Sequence, residues 1–196
     1  MFNFFNEYKK EVISLLEQVD ECFINDTVEI LLNAYKKDKQ IFIIGNGGSA
    51  AIADHFSFDL GTNPFIDSNV RRFRFISLSS NTPFILSIAN DISFKEVFKQ
   101  QLVGLLNKDD VLFEISASGK SENLVNACIY AKEIGAKIIT MSGFLGGNIK
   151  EYADVSLCLD SESCGNIEDI HHIIFHSLTS YFKTNQRLFI KEDILK

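Results

Sequence analysis

Five short apolar runs, at about 41–44, 74–78, 110–115, 137–141 and 154–158, recur along the 196-residue chain with helix-length stretches between them. In "IFII", "VLFEI" and "KIITM" the apolar residues are consecutive rather than alternate, the pattern of parallel strands covered by helices on both faces. Helical segments at about 49–60, 83–106, 121–134 and 166–190 fall between and after these runs, and parallel strands need such crossovers. Residues 4–38 carry helical spacing in two stretches, with Phe5, Val12, Leu15, Leu16 and Val19, then Val28, Leu31, Leu32 and Tyr35, and "IND" at 24–26 supplies a cap. The expected fold is α/β: a doubly wound, parallel five-stranded sheet sandwiched by helices, with two extra helices at the N-terminus. Domains usually hold about 100–200 residues, so residues 1–196 read as one domain, 1–38 a helical pair and 39–196 the α/β core.

Composition removes several function classes. Hydrophobic residues at 46% and charged residues at 23% match a soluble globular chain rather than a disordered or fibrous one. A formal charge of -7 disfavours a chain whose main task is holding nucleic acid, which rests on Lys and Arg neutralising phosphates. Cys22, Cys128, Cys158 and Cys164 lie far apart with no Cys-x-x-Cys pair, and read as reduced thiols filling the core. The start "MFNFFNEYKKEV" is broken by Asn, Glu and Lys, unlike a signal peptide, and no apolar run approaches the roughly 18 residues of a membrane span. A cytoplasmic protein is expected.

Open α/β sheets bind ligands beyond the carboxyl ends of their strands, so the loops beginning at Gly45, Ser79 and Ser116 carry the functional signal. In "EISASGKSENL", Ser116, Ser118 and Ser121 flank Gly119 just before a helix starting near Glu122. Free backbone N–H groups and the helix dipole there, joined by serine hydroxyls, suit a phosphate. A serine-capped helix start would look the same, and Glu114 stands where a Walker loop requires glycine. "GNGGSAA" places Gly45 and Gly47 as in Gly-x-Gly-x-x-Gly, but Ala50 is third and no acidic residue ends the next strand near Leu78. With Ser79-Ser80-Asn81-Thr82 between them, the three polar loops point to one polyhydroxylated, phosphorylated ligand.

All four histidines fall in two helical segments. His55 and Asp59 are four apart and share a face; Glu168, His172 and His176 follow at successive i+4 steps, with His171 on a neighbouring stripe. Each alone is an ordinary amphipathic position. As a set, imidazoles and carboxylates suit Zn²⁺, Ni²⁺ or Fe²⁺.

The motifs "GNGGSAAIADHF" at 45–56, "SIANDISFKEVF" at 87–98, "ISASGKSENL" at 115–124, "MSGFLGGNI" at 141–149 and "NIEDIHHIIFH" at 166–176 occur in this order. In them the chain resembles the sugar isomerase (SIS) domain family, and within it the phosphoheptose isomerases. That resemblance implies a homotetramer with active sites at subunit boundaries and one Zn²⁺ per subunit held at His55, Asp59, Glu168 and His176. It places phosphate contacts at Ser116, Ser118 and Ser121, with Ala117 where Thr is usual. Substrate contacts fall on Asn46, Gly47, Gly48, Ser49, Ser80, Asn81 and Glu168. The family usually has Glu at the place of Asp59, Gln at that of Glu168, Asp at that of Asn81 and an aliphatic residue at that of His172.

The activity so implied is ketose–aldose isomerisation of sedoheptulose 7-phosphate through an enediol, with Asp59 and His176 as the acid/base pair. Two rival readings are a non-catalytic SIS adaptor that binds a replication initiator and a sugar-phosphate sensor. Arg71, Arg72 and Arg74 read as an exposed basic stripe or as groups reaching a neighbouring subunit.

Overall fold

A computed structural model describes residues 3–66 and 68–189. In chain order the main elements are α1 (Phe4–Leu16), α2 (Glu21–Lys36), β1 (Gln40–Gly45), α3 (Gly48–Gly61), β2 (Arg74–Ser77), α4 (Thr82–Asp91), α5 (Lys99–Val103), β3 (Val111–Ser116), α6 (Glu122–Ile134), β4 (Lys137–Ser142), β5 (Val155–Cys158) and α7 (Cys164–Thr184). The strands form one sheet in the order β2-β1-β3-β4-β5. Every pairing is parallel, with Ile43 opposite both Ser77 and Phe113.

Alternate side chains of β1, β2, β3 and β4 enter two separate cores. Ile41, Ile43, Phe113 and Ile139 pack with residues of α1, α2, α3 and α7, whereas Phe42, Ile44, Leu112 and Ile138 pack with α5 and α6. The consecutive apolar runs are thus explained: both faces of the sheet are covered. On the first face Phe56 of α3 stacks on Phe175 of α7, centroids 4.5 Å apart, and both are fully buried. Truncating such an aromatic typically costs about 3–5 kcal/mol, so the α3–α7 seam is a firm platform. Because α3 leaves β1 for one face and α6 leaves β3 for the other, a crevice opens between the carboxyl ends of these neighbouring strands.

Several local expectations change. The break before α2 is capped by Asp20, whose side chain accepts a hydrogen bond from the Cys22 amide, and residues 24–26 lie inside the helix. Capping at Asp20 adds Phe23 to the buried face formed by Thr27, Leu31, Ala34 and Tyr35, a turn that a start at 26 would forfeit. The single helix expected over 83–106 is broken: Ser93 is extended and accepts from the Lys95 amide, ending α4 before a 3-10 turn at Phe94–Glu96 and the short α5. The last long helix ends at Thr184 and a 3-10 turn Gln186–Phe189 follows; position 190 lies outside the described residues.

Of the four cysteines only Cys128 is buried core, while Cys22 and Cys164 are exposed. The basic stripe is partly engaged. Arg71 bonds to Asp38 and to the Tyr35 carbonyl and lies 4.3 Å from the Tyr35 ring centroid; Arg74 donates to the Asp38 carbonyl at 3.1 Å. These contacts tie the end of α2 to the start of β2.

Candidate active site

At the β1–β3 crevice, Asn46, Ser49, Ser116, Ala117, Ser118, Ser121, Cys164 and Glu168 line an open cleft of about 430 Å³. Ser116 Oγ accepts from the Gly119 amide at 2.9 Å and Ser118 Oγ from the Lys120 amide at 3.3 Å, which leaves both hydroxyl protons to donate to a ligand. Ser121 sits at the N-cap of α6 but makes no side-chain capping bond. A merely capped helix start would use that hydroxyl, so the ligand-binding reading gains. Gly119 lies at φ +64° against Gly146 and Gly147, where a Cβ would strike backbone, so the loop after β4 braces the serine loop. Among the described residues no basic side chain lines the cleft; an anion there is met by hydroxyls and by the N-termini of α3 and α6.

The glycines after β1 answer to the chain itself as much as to a ligand. Gly47 holds φ +54°, and a Cβ on Gly48 would collide with the Glu168 carboxylate. Glu168 therefore lies against the first turn of α3, at the cleft. Asn46 exchanges two amide hydrogen bonds with Asn123, both 2.9 Å, locking the first loop to α6. Asn123 was not singled out from the sequence; its one signal is a polar residue in the first turn of a helix, buried here against the opposite loop. In the second loop the Ser79 hydroxyl accepts from the Gly45 amide at 3.1 Å and donates to the Gly45 carbonyl at 3.0 Å. Ser80 and Asn81 serve their own turn instead: Ser80 donates to the Ser77 carbonyl, Asn81 caps α4, and neither lines the cleft.

Further along the same seam, one donor atom each from His55, Asp59 and His176 lie within 4.8 Å of one another. Asp59 Oδ2 is 3.5 Å from His55 Nε2 and 3.9 Å from His176 Nε2. Asp59 Oδ1 accepts from Asn63 Nδ2 at 2.7 Å, so one carboxylate oxygen is anchored and the other is presented to the imidazoles. Phe56 supports both rings from below, its centroid 4.6 Å from that of His55 and 5.0 Å from that of His176. Two nitrogens and one oxygen converging at an exposed surface fit a borderline divalent cation with an open position. Glu168, the fourth expected ligand, is not in this group; its carboxylate is held at Gly48 and the cleft.

Asn63, in the turn after α3, is a second residue that spacing did not reveal. Replacing Asn63 with Ala is expected to weaken binding of an added divalent metal roughly tenfold by freeing the Asp59 carboxylate, and metal titration would read the change.

His171 points the other way, fully buried, with neither ring nitrogen hydrogen-bonded among the described residues. Burial, with the neighbouring His172, lowers its pKa to about 3, so it stays neutral and belongs to packing rather than proton transfer.

The SIS domain model matches residues 7–143. The phosphoheptose isomerase of Helicobacter pylori strain P12 is 34% identical over 174 residues, covering 89% of this chain and 89% of that protein. The phosphoheptose isomerase of Clostridium acetobutylicum is 35% identical over 170 residues, covering 87% of this chain and 85% of its own. Among solved structures, a phosphoheptose isomerase from Francisella tularensis superimposes with a TM-score of 0.82 at 26% identity, over 93% of this chain and 96% of that one.

Proposed function

The chain belongs to the SIS domain family, within its phosphoheptose isomerase branch, and we propose that it isomerises sedoheptulose 7-phosphate to D-glycero-D-manno-heptose 7-phosphate. The observation that carries this reading is the placement of two chemistries on one seam: a phosphate-type cleft at the start of α3, and the His55, Asp59 and His176 group further along it. From Gly48 to His55 the helix rises about 10 Å. A seven-carbon sugar phosphorylated at its far carbon spans a distance of that order, so its phosphate can lie among the serines while C1 and C2 reach the histidines. A three-carbon sugar phosphate cannot.

Zn²⁺ fits the donor set of His55, Asp59 and His176, and when bound it would supply polarisation of the carbonyl and hydroxyl oxygens at the reacting end. The side chains do the rest. Ser116, Ser118 and Ser121 hold the phosphate, and the Asn46–Asn123 pair keeps the first loop open beside it. Asp59 and His176, facing each other on the seam, take the proton from C1 and return one to C2, with an enediol between. Asn63 keeps the Asp59 carboxylate aimed throughout.

The enzyme works as a cytoplasmic homotetramer in this reading. Phe4, Phe5 and Ile13 of α1 are exposed, an apolar surface suited to a neighbouring subunit, and no described helix is long and apolar enough to cross a membrane. Incubating the purified protein with sedoheptulose 7-phosphate, with and without Zn²⁺, tests the proposal through the aldose formed. Turnover that rises with the metal supports it. Tight binding without turnover would replace it by a sugar-phosphate sensor, and absence of both by an adaptor.

A further inference from the structure

We propose that His172, rather than Glu168, completes the metal site, giving a ligand set of His55, Asp59, His172 and His176. The inference rests on the metal site of His55, Asp59 and His176 proposed above and adds one residue to it.

Three observations carry it. The His172 ring lies with its centroid 6.1 Å from that of His55 and 6.3 Å from that of His176, while those two are 5.5 Å apart. Three imidazoles on one tetrahedral ion, each bound at about 2.0–2.1 Å, have centroids about 5 Å apart. His55 and His176 already meet that spacing, and His172 approaches it to within about 1 Å, a side-chain adjustment rather than a backbone one. Second, His172 Nδ1 lies 3.1 Å from the Glu168 carbonyl. An N–H at Nδ1 pointing at a carbonyl fixes the tautomer and leaves the lone pair on Nε2, the arrangement by which metal-binding histidines are usually oriented. Third, Glu168 is committed elsewhere. Its carboxylate lies against Gly48 and lines the serine cleft, whereas the converging group of His55, Asp59 and His176 forms with neither Glu168 nor His172 and leaves the fourth place to be filled.

The exchange alters the charge at the metal. Two imidazoles and two carboxylates would neutralise a divalent ion, whereas three imidazoles and Asp59 leave one net positive charge. That charge favours an oxygen of the sugar as the next ligand. Glu168, released from the ion, faces the substrate instead.

X-ray absorption of the zinc-loaded full-length protein counts the imidazoles directly. Three in the wild-type protein and two in His172→Leu are expected; two in the wild-type protein would overturn the proposal without any variant having to fold. Titration with Co²⁺, read by its visible absorption, gives the energetic counterpart. His172→Leu should bind Co²⁺ at least about tenfold more weakly, with an altered spectrum, and Glu168→Gln should stay within about threefold of wild type. The reverse pattern would restore Glu168 as the ligand. His55→Ala separates the two levels: if wild-type protein binds no Co²⁺, or binds it undiminished in that variant, the metal group itself is wrong. If His55→Ala abolishes binding and His172→Leu leaves it intact, only the choice of fourth ligand is wrong.

Discussion

Replacing His176 with Ala is expected to lower turnover of sedoheptulose 7-phosphate by at least about 10³-fold while leaving binding of inorganic phosphate within about twofold of wild type. General acid–base assistance by a positioned side chain contributes about 10²–10⁴-fold, and the same imidazole is a member of the donor group, so both roles are lost together. The phosphate cleft is built without it. His176 stands on α7 well beyond Glu168, the residue of that helix that lines the cleft, and its side chain is exposed, so alanine removes little packing. The two readouts must therefore separate. Steady-state kinetics gives the first and a phosphate-binding titration the second. Activity surviving in the variant would take His176 out of the mechanism, and loss of phosphate binding would mean that cleft and metal group are not the independent units described.

How far such a site can be read from a sequence depends on the range of the forces that build it. The strands were legible because burial on both faces leaves consecutive apolar residues, and the loops after them because only glycine and small polar residues tolerate those turns. Capping was less so. Asp20, Asn25, Asp26, Asn90 and Ser93 all carry cap-competent side chains, and which of them ends or begins a helix is decided by the face that must be buried, as Phe23, Thr27 and Leu31 decide it for α2.

Spacing placed His55 with Asp59, and His172 with His176, because each pair belongs to one helix. It could not place the two pairs together; that follows from Phe56 stacking on Phe175 across the seam. Asn63 and Asn123 were hidden for a related reason. Each works through one hydrogen bond system: Asn63 holds Asp59 from four positions on, but beyond the end of α3 where helical spacing no longer applies, and Asn123 holds Asn46 from 77 positions away with only its place in a first helical turn to mark it. Glu168 shows the converse: its spacing suits a ligand, and only the fold reveals that its carboxylate also lies against Gly48 at the cleft.

Glu114 is the charged residue inside the apolar run "VLFEI", and it gives the protein a stability that should fall in alkali. Its side chain is fully buried in β3, between Ile44 and Thr140 on the neighbouring strands, and among the described residues neither carboxyl oxygen has a hydrogen-bond partner of ordinary geometry. Burial raises its pKa to about 8 from the usual 4.5, eased only by the Cys128 thiol, a weak donor. Between pH 4.5 and 8 the folded chain keeps this proton and the unfolded chain has lost it, so stability declines as pH rises through that window. His171 acts in the other direction. With its pKa lowered to about 3 from 6.5, the unfolded chain takes up a proton that the folded chain refuses, and stability declines as pH falls below 6.5. The two slopes oppose each other between pH 4.5 and 6.5; from 6.5 to 8 that of Glu114 is the larger, and near pH 9 the buried Cys128 thiol, whose pKa burial also raises, adds a decline of its own. From pH 6.5 to 9 the wild-type protein should lose on the order of 2 kcal/mol to this one carboxyl. Glu114→Gln keeps the shape and removes the proton. Its unpaired amide lowers stability by an amount that does not vary with pH, so the slope is the quantity to compare. Urea unfolding at pH 6.5, 7.5 and 9 should show a decline in the wild-type protein that is flattened in the variant. Equal slopes would mean that Glu114 is ionised in the folded protein and that its charge has a partner in the sheet.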